Sequence, residues 1–273
     1  MSTAHPSKPW IAKVASVVVF GAVASMATVA PAGADPLPGG PWVAIAGVHG
    51  ASQPVEVTAA DYPQPGITIA SQVDETEAQN CTVSWPIVAT TDDPGYLTAG
   101  HCMAAKSAPL WMYTAMNKSA REQLPPLQSY DRGYDRDGVY HDASVFFLSA
   151  SQQQGPYGVE IAPGVRLRGV LGVDAVRSLP AGTPMCMNGA RSGLTCGPLV
   201  RATSVQVRWG GSAVHGDSGA PVFVVDERGE AMAVGMLAYG PTDTDNYVTY
   251  LAPVLKRMGL RLVVDNDAKG TDR

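Results

Sequence analysis

A chain of 273 residues is long enough for one large domain or two small ones, each with a core of its own. Charged residues make up only 16% of it and the formal net charge is -5, with no basic stripe, which argues against a nucleic-acid partner. Glycine (29) and proline (22) are plentiful and apolar content is ordinary, so the chain reads as globular and rich in turns, not disordered. In chain order, residues 1–34 come first as a targeting segment. Lys8 and Lys13 make a positive start, Val14 to Ala30 carry no charge, and Ala32-Gly33-Ala34 offers the small-x-small pattern of a cleavage site. A signal peptide ending there predicts a secreted protein, extracellular or in the cell envelope, that begins near Asp35. The rival reading is a membrane anchor, but the uncharged run falls short of the roughly 18–20 residues a spanning helix needs. Membrane contact is expected only if this segment is retained.

Residues 35–65 are rich in Pro, Gly and Ala without a period and read as an N-terminal extension or a short pro-segment. Residues 66–152 read as a first β unit. Short apolar or alternating runs recur at Ile67–Ile69, Thr82–Val88, Tyr96–Ala99 and Val139–Leu148, bounded by turn residues. Between them, Leu110–Tyr113 suggests a strand, Lys118–Leu124 a loose helical turn and Asp131–Gly138 a surface loop. Ser149–Gly164 is polar and aperiodic and serves as the connector. Residues 153–264 form a second unit, with strand-like runs at 165–173, 184–187, 199–209, 221–225, 231–238 and 247–250. Asp226-Glu227-Arg228-Gly229 reads as a hairpin turn. Leu251, Val254, Leu255 and Met258 then recur at helical spacing before Gly259, which predicts a short helix with a glycine C-cap. Residues 265–273 are expected to be a flexible tail. Many short strands separated by turns mean an all-β sandwich or barrel, and the pattern alone does not choose.

Four cysteines, Cys81, Cys102, Cys186 and Cys196, lie in the part that would be exported. In an oxidising compartment an even number suggests two disulfides, and the clustering favours Cys81 with Cys102 and Cys186 with Cys196. A zinc site is the rival, but the close Cys-x-x-Cys pairs it prefers are missing, so no metal is expected.

A serine hydroxyl becomes a useful nucleophile only beside a base that takes its proton. That base needs a carboxylate to hold its tautomer, and the developing oxyanion needs convergent N–H donors. Gly216-Asp217-Ser218-Gly219 offers a serine in a glycine-flanked turn that would turn the N–H groups of Gly216 and Ser218 toward one point. By itself it is equally well an ordinary β-turn. His101 stands at the end of an apolar run, in Thr98-Ala99-Gly100-His101-Cys102. By itself it is better explained as a buried histidine. Asp142 opens an apolar run, Asp142 to Leu148, whereas Asp131, Asp135 and Asp137 sit in polar surroundings. His141 and His215 lack the strand-to-cysteine context of His101.

Taken together, Thr-Ala-Gly-His-Cys followed downstream by Gly-Asp-Ser-Gly resembles the paired signature of chymotrypsin-like serine proteases. The segment Cys186 to Gly197 is similar to the short disulfide loop of the bacterial branch, the streptogrisins and α-lytic protease. The resemblance covers roughly Gly66 to Val264. It implies two six-stranded antiparallel β-barrels with a short C-terminal helix, His101 and Asp142 in the first barrel and Ser218 in the second. It further implies an oxyanion hole from Gly216 and Ser218, and a substrate-pairing strand at Ala238, Tyr239 and Gly240. Ser212, six residues before Ser218, resembles the floor of the specificity pocket and, being neutral, implies an uncharged side chain before the scissile bond. Protein or peptide substrates, no cofactor and a monomer follow as expectations. Two departures stand out. Met187 occupies the place where relatives carry an arginine for the buried aspartate, here Asp217, leaving Arg191 or a new amino terminus as alternatives. Ala238 stands where relatives carry a serine that bonds the catalytic aspartate. These motivate a second reading, an inactive, protease-shaped binding protein.

Overall fold

The computed structural model describes Met1 and residues 39–49, 53–154, 157–158 and 160–265. The expected signal peptide at 1–34 and tail at 265–273 fall almost wholly outside these residues. The first half supplies β1 (Thr68–Gln72), β2 (Ala78–Thr82), β3 (Pro86–Ala89), β4 (Pro94–Thr98), β5 (Leu110–Tyr113), β6 (Arg121–Leu124), β7 (Gln128–Tyr134) and β8 (Tyr140–Phe147). They form two sheets. One has the order β2-β1-β5-β6. The other runs β3-β4-β8-β7 and gains a C-terminal strand described below. Ile69, Leu110 and Met112 from the first sheet meet Tyr96 and Phe146 from the second in a shared buried core. Hydrogen bonding does not run continuously between the two sheets, so this half is an open barrel.

The second half supplies β9 (Glu160–Ala162), β10 (Val165–Val170), α1 (Val173–Arg177), β11 (Pro184–Gly189), β12 (Gly193–Ala202), β13 (Val207–Trp209), β14 (Pro221–Val225), β15 (Glu230–Thr242) and β16 (Asp245–Tyr250). Strands β14-β11-β12-β13-β16-β15 pair in that order and β15 returns to β14, which closes a six-stranded barrel. Its interior is filled by Met185, Val222, Val234 and Val248 around Trp209, whose indole N–H donates to the Met185 carbonyl at 3.0 Å. A third core lies between the halves, with Trp85, Leu97 and Val145 against Phe223, Met236 and Leu251. There the Trp85 indole donates to Gly235 O at 2.9 Å, a buried bond from one half to the other.

Helix α2 (Leu251–Met258) buries Leu251, Val254 and Leu255 and ends at Gly259, whose φ of 65° is the left-handed conformation a glycine C-cap supplies. Strand β17 (Leu260–Leu262) then pairs with β3, so the C-terminal strand joins the first-half sheet although its sequence position belongs to the second unit. Two sequence expectations are corrected. The helical turn expected at Lys118–Leu124 ends in strand β6, and the loop expected at Asp131–Gly138 begins as strand β7. Both are edge strands, so they need few apolar residues and show little periodicity. The short helix α1 had no expectation of its own.

Residues 40–49 and 53–60 are bound to both halves. Val43 N–H donates to Val225 O (2.9 Å), Gly47 O accepts from Cys196 N–H (3.0 Å) and Val48 O from Ser212 N–H (3.0 Å). Further on, Thr68 N–H donates to Thr58 O (2.9 Å), Ala60 N–H to Tyr113 O (3.1 Å), and Val57 is fully buried.

One surface pair ties α2 to the first half. Arg257 grips Asp131 in a bidentate bond (2.7 and 2.9 Å), and this guanidinium holds the Asp131 carboxyl below the usual carboxylate range. Both groups are partly exposed, so the pair contributes about 0.5–1 kcal/mol. Because the folded pKa is depressed, that contribution is full above the unfolded value near 4 and disappears as pH falls through the folded one. Urea unfolding of Asp131→Asn against the parent should therefore show a difference at pH 7 that shrinks progressively as the pH is taken below about 4.

Candidate active site

The chain leaves β4 through Ala99 into a single 3₁₀ turn, Gly100–Cys102, that carries His101. The Cys81–Cys102 disulfide fixes this turn to β2. Asp142 sits at the start of β8 with 1% of its side chain exposed. Its Oδ1 accepts from the His101 N–H at 2.8 Å and its Oδ2 lies 2.7 Å from His101 Nδ1. A carboxylate at Nδ1 keeps the proton on that nitrogen and leaves the Nε2 lone pair to act as base. The other acids near this loop are otherwise engaged: Asp131 by Arg257, and Asp135 by the buried His141, whose Nε2 lies 3.1 Å from Asp135 Oδ2. That imidazole holds the Asp135 carboxyl below its ordinary range. His215 is exposed on the loop before the serine turn.

Ser218 lies between β13 and β14, in a turn pressed onto the first half. Gly219 has a φ of +86°, and any Cβ there would stand 2.7 Å from Ala99 N and 2.9 Å from Thr82 O. Only glycine allows the serine turn to approach the histidine strand this closely. Thr82, at the end of β2, secures the turn twice: its N–H donates to Ser218 O (2.8 Å) and its hydroxyl to Gly216 O (2.9 Å). The same hydroxyl accepts from Ala190 N–H at 3.1 Å. Among the described residues, the N–H groups of Gly216 and Ser218 donate to no protein acceptor, and Ser218 Oγ has no hydrogen-bond partner. No hydrogen bond therefore joins Ser218 Oγ to the His101 ring, and catalytic hydrogen bonds are often long or poorly aligned until substrate binds. No sequence signal marks Thr82. Thr82→Val would leave Gly216 O and Ala190 N–H unpaired, and we expect a loss of about 2 kcal/mol in a denaturant melt. Thr82→Ser should stay near the parent.

Asp217 is fully buried and has no cationic partner among the described residues. Oδ1 accepts from Arg191 N–H (2.8 Å) and Ser192 N–H (3.0 Å); Oδ2 accepts from Ser192 Oγ (2.6 Å) and Val214 N–H (2.9 Å). Arg191 therefore does reach Asp217, but through its main chain. Its guanidinium points elsewhere, donating from Nε to Val55 O (2.9 Å) and from Nη1 to His215 O (3.0 Å). The Cys186–Cys196 disulfide joins directly paired residues of β11 and β12 and steadies the hairpin that presents these donors.

His101, Gly216 and Ser218 line one open cavity of about 590 Å³. Ala238, Tyr239 and Gly240 line it too, on the part of β15 that has left β14 and pairs only with β16. Ser212 does not line it. Its N–H and C=O are spent on Val48 and Thr195, and the wall is Ala213 and Val214 instead. At the far wall stands Asn246, whose amide donates to Gly211 O (2.7 Å) and Asp243 O (3.1 Å). A second cavity of about 710 Å³ lies on the other side of His101, lined by Met103, Leu127 and Arg132 among others.

No protein-family model and no curated protein sequence matches the chain. Solved structures do. A glutamic-acid-specific serine protease that uses a histidine triad in substrate binding aligns with a TM-score of 0.52 at 11% identity, over 74% of this chain and 100% of its own. Nocardiopsis protease aligns at 0.49 and 18% identity over 73% and 99%, and Cellulomonas bogoriensis chymotrypsin at 0.47 and 17% over 73% and 97%. At such identities likeness speaks for the fold. The chain has the double-barrel fold of the chymotrypsin-like serine proteases.

Proposed function

We propose that the protein is a secreted serine endopeptidase that cleaves peptide bonds through an acyl-enzyme on Ser218. In this reading Ser218 Oγ attacks the scissile carbonyl while His101 Nε2 takes its proton. Asp142 holds the imidazole and stabilises the imidazolium that forms, and the Gly216 and Ser218 N–H groups receive the oxyanion. His101 then gives the proton to the departing amine, and a water molecule, deprotonated by the same nitrogen, releases the acyl group. The observation that carries the reading is the cavity shared by Ser218 and His101, with the far side of that imidazole held by a buried carboxylate.

The acyl side of a peptide has a natural seat on the open edge of β15 at Ala238–Gly240, as an added strand. An uncharged side chain before the scissile bond fits walls of Ala213, Val214 and Ala238 beside Asn246, with the exposed Asp243 the one carboxylate on the lining of the same cavity. With Asp217 already holding four hydrogen bonds, the serine turn needs no new amino terminus to order it. The inactive, binding-protein reading draws on Ala238, which offers Asp142 no hydroxyl. Digestion of a peptide library by the secreted protein and by Ser218→Ala separates the two. Cleavage that falls at least about a thousandfold in the variant supports the endopeptidase; equal products from both remove Ser218 from the chemistry.

A further inference from the structure

Two strand edges are open on either side of Ser218. One is β15 beyond Leu237. The other is β2, which pairs with β1 alone and brings Gln79 and Asn80 to the same cavity. If the acyl half of a substrate lies along β15, the leaving half departs past Gln79, Asn80 and Arg191. This rests on the endopeptidase reading above.

Arg191 is locked in place there. Its main chain is held by Asp217, and its Nε and Nη1 donate to Val55 O and His215 O. Its stem lies against Gly216, where a Cβ would come within 2.5 Å of Arg191 Cδ. Both guanidinium partners are neutral carbonyls, and among the described residues no carboxylate lies within ion-pair distance. Glu56 is close enough to feel the charge, but its carboxylate accepts its hydrogen bond from Lys118. The result is a fixed cation at the exit of the cleft, on a protein whose net charge is negative. A side chain already ordered loses little entropy on binding, and a guanidinium is well suited to carboxylates.

We infer that Arg191 is a specificity residue for the leaving-group side, and that the protein prefers peptides with an acidic side chain within two residues after the scissile bond. The test uses two kinds of substrate for one acyl sequence. The first is a peptidyl thioester with no residue after the reacting carbonyl. The second is a set of internally quenched peptides with Glu, Ala or Lys at the first or second following position. For the wild-type protein kcat/KM should be about five- to tenfold higher for Glu than for Ala, lower still for Lys, and the preference should shrink in 0.5–1 M salt, roughly as expected for a rim charge. In Arg191→Gln the Glu-to-Ala ratio should fall to about one, and Arg191→Lys should retain part of it; the ratio cancels any general loss of activity. Thioester turnover without a Glu preference, or a preference that survives in Arg191→Gln, overturns the inference alone. Absence of thioester turnover overturns the endopeptidase reading, and the inference with it.

Discussion

If the proposed triad operates, Asp142→Asn should lower kcat by about 10⁴-fold at neutral pH with little change in Tm. The geometry gives both halves of this expectation. Asp142 spends both oxygens on His101, one on its main-chain N–H and one on Nδ1. An asparagine keeps the carbonyl oxygen for the first bond but turns an NH₂ toward the imidazole. Nδ1 must then accept, the ring proton moves to Nε2, and Nε2 can no longer act as the base proposed for Ser218. The hydrogen-bond count is nearly unchanged, so the fold should survive while the base is lost. Steady-state kinetics beside a thermal melt tests both. A loss of less than about tenfold would mean that His101 does not depend on Asp142 for its tautomer.

Asp217→Ala should be the most destabilising single change near the site, with a loss of about 3–5 kcal/mol and collapse of activity. Three N–H groups and a hydroxyl converge on that carboxylate with no solvent to replace it. Each donor left unpaired costs about 1–3 kcal/mol, and the costs do not simply add. Asp217→Asn should lose roughly half as much, since one oxygen remains to accept and the Ser192 hydroxyl can turn to accept from the new NH₂. Guanidinium unfolding at constant m-value measures this. A loss under about 1 kcal/mol for alanine would show that the four bonds contribute little, and that something else orders the serine turn.

How much of this was legible in the sequence depended on what kind of group did the work. As candidates, His101 and Ser218 stand out in the sequence because each has a distinctive local setting, a strand running into a cysteine and a glycine-flanked turn; the structure places both on one cavity. Asp142 was legible as an acid entering an apolar strand, which the structure buries beside the imidazole. The neighbouring acids Asp131 and Asp135 could be set aside only for their polar setting; their actual partners, Arg257 and His141, come from distant or opposite positions. The support of Asp217 was not legible, because three of its four donors are main-chain N–H groups, which any residue carries. Thr82 escaped for a related reason: a threonine in a strand is unremarked until the turn it secures, more than 130 residues later, is folded beside it. Ser212 stands where the resemblance expects the pocket floor, but its main chain is tied to Val48 and to the Thr195 hydroxyl, and Ala213 and Val214 are the neighbours that line the cavity, contacts that no local sequence pattern announces. That segment is attached mainly by its backbone, so its Pro- and Gly-rich composition gave no sign of attachment. Strands β6 and β7 were missed as polar edges, whereas the buried strands β4 and β8 were read close to their true limits.

Ser218 as the nucleophile and His101 as its base is the claim on which the rest of the account depends. Labelling with a fluorophosphonate, followed by mass spectrometry of the digested protein, tests it most directly. The account predicts one adduct, on the peptide carrying Ser218, formed rapidly by the parent protein and at least about a hundredfold more slowly by His101→Ala. An unlabelled Ser218, an adduct elsewhere, or labelling at the same rate without the imidazole would contradict it.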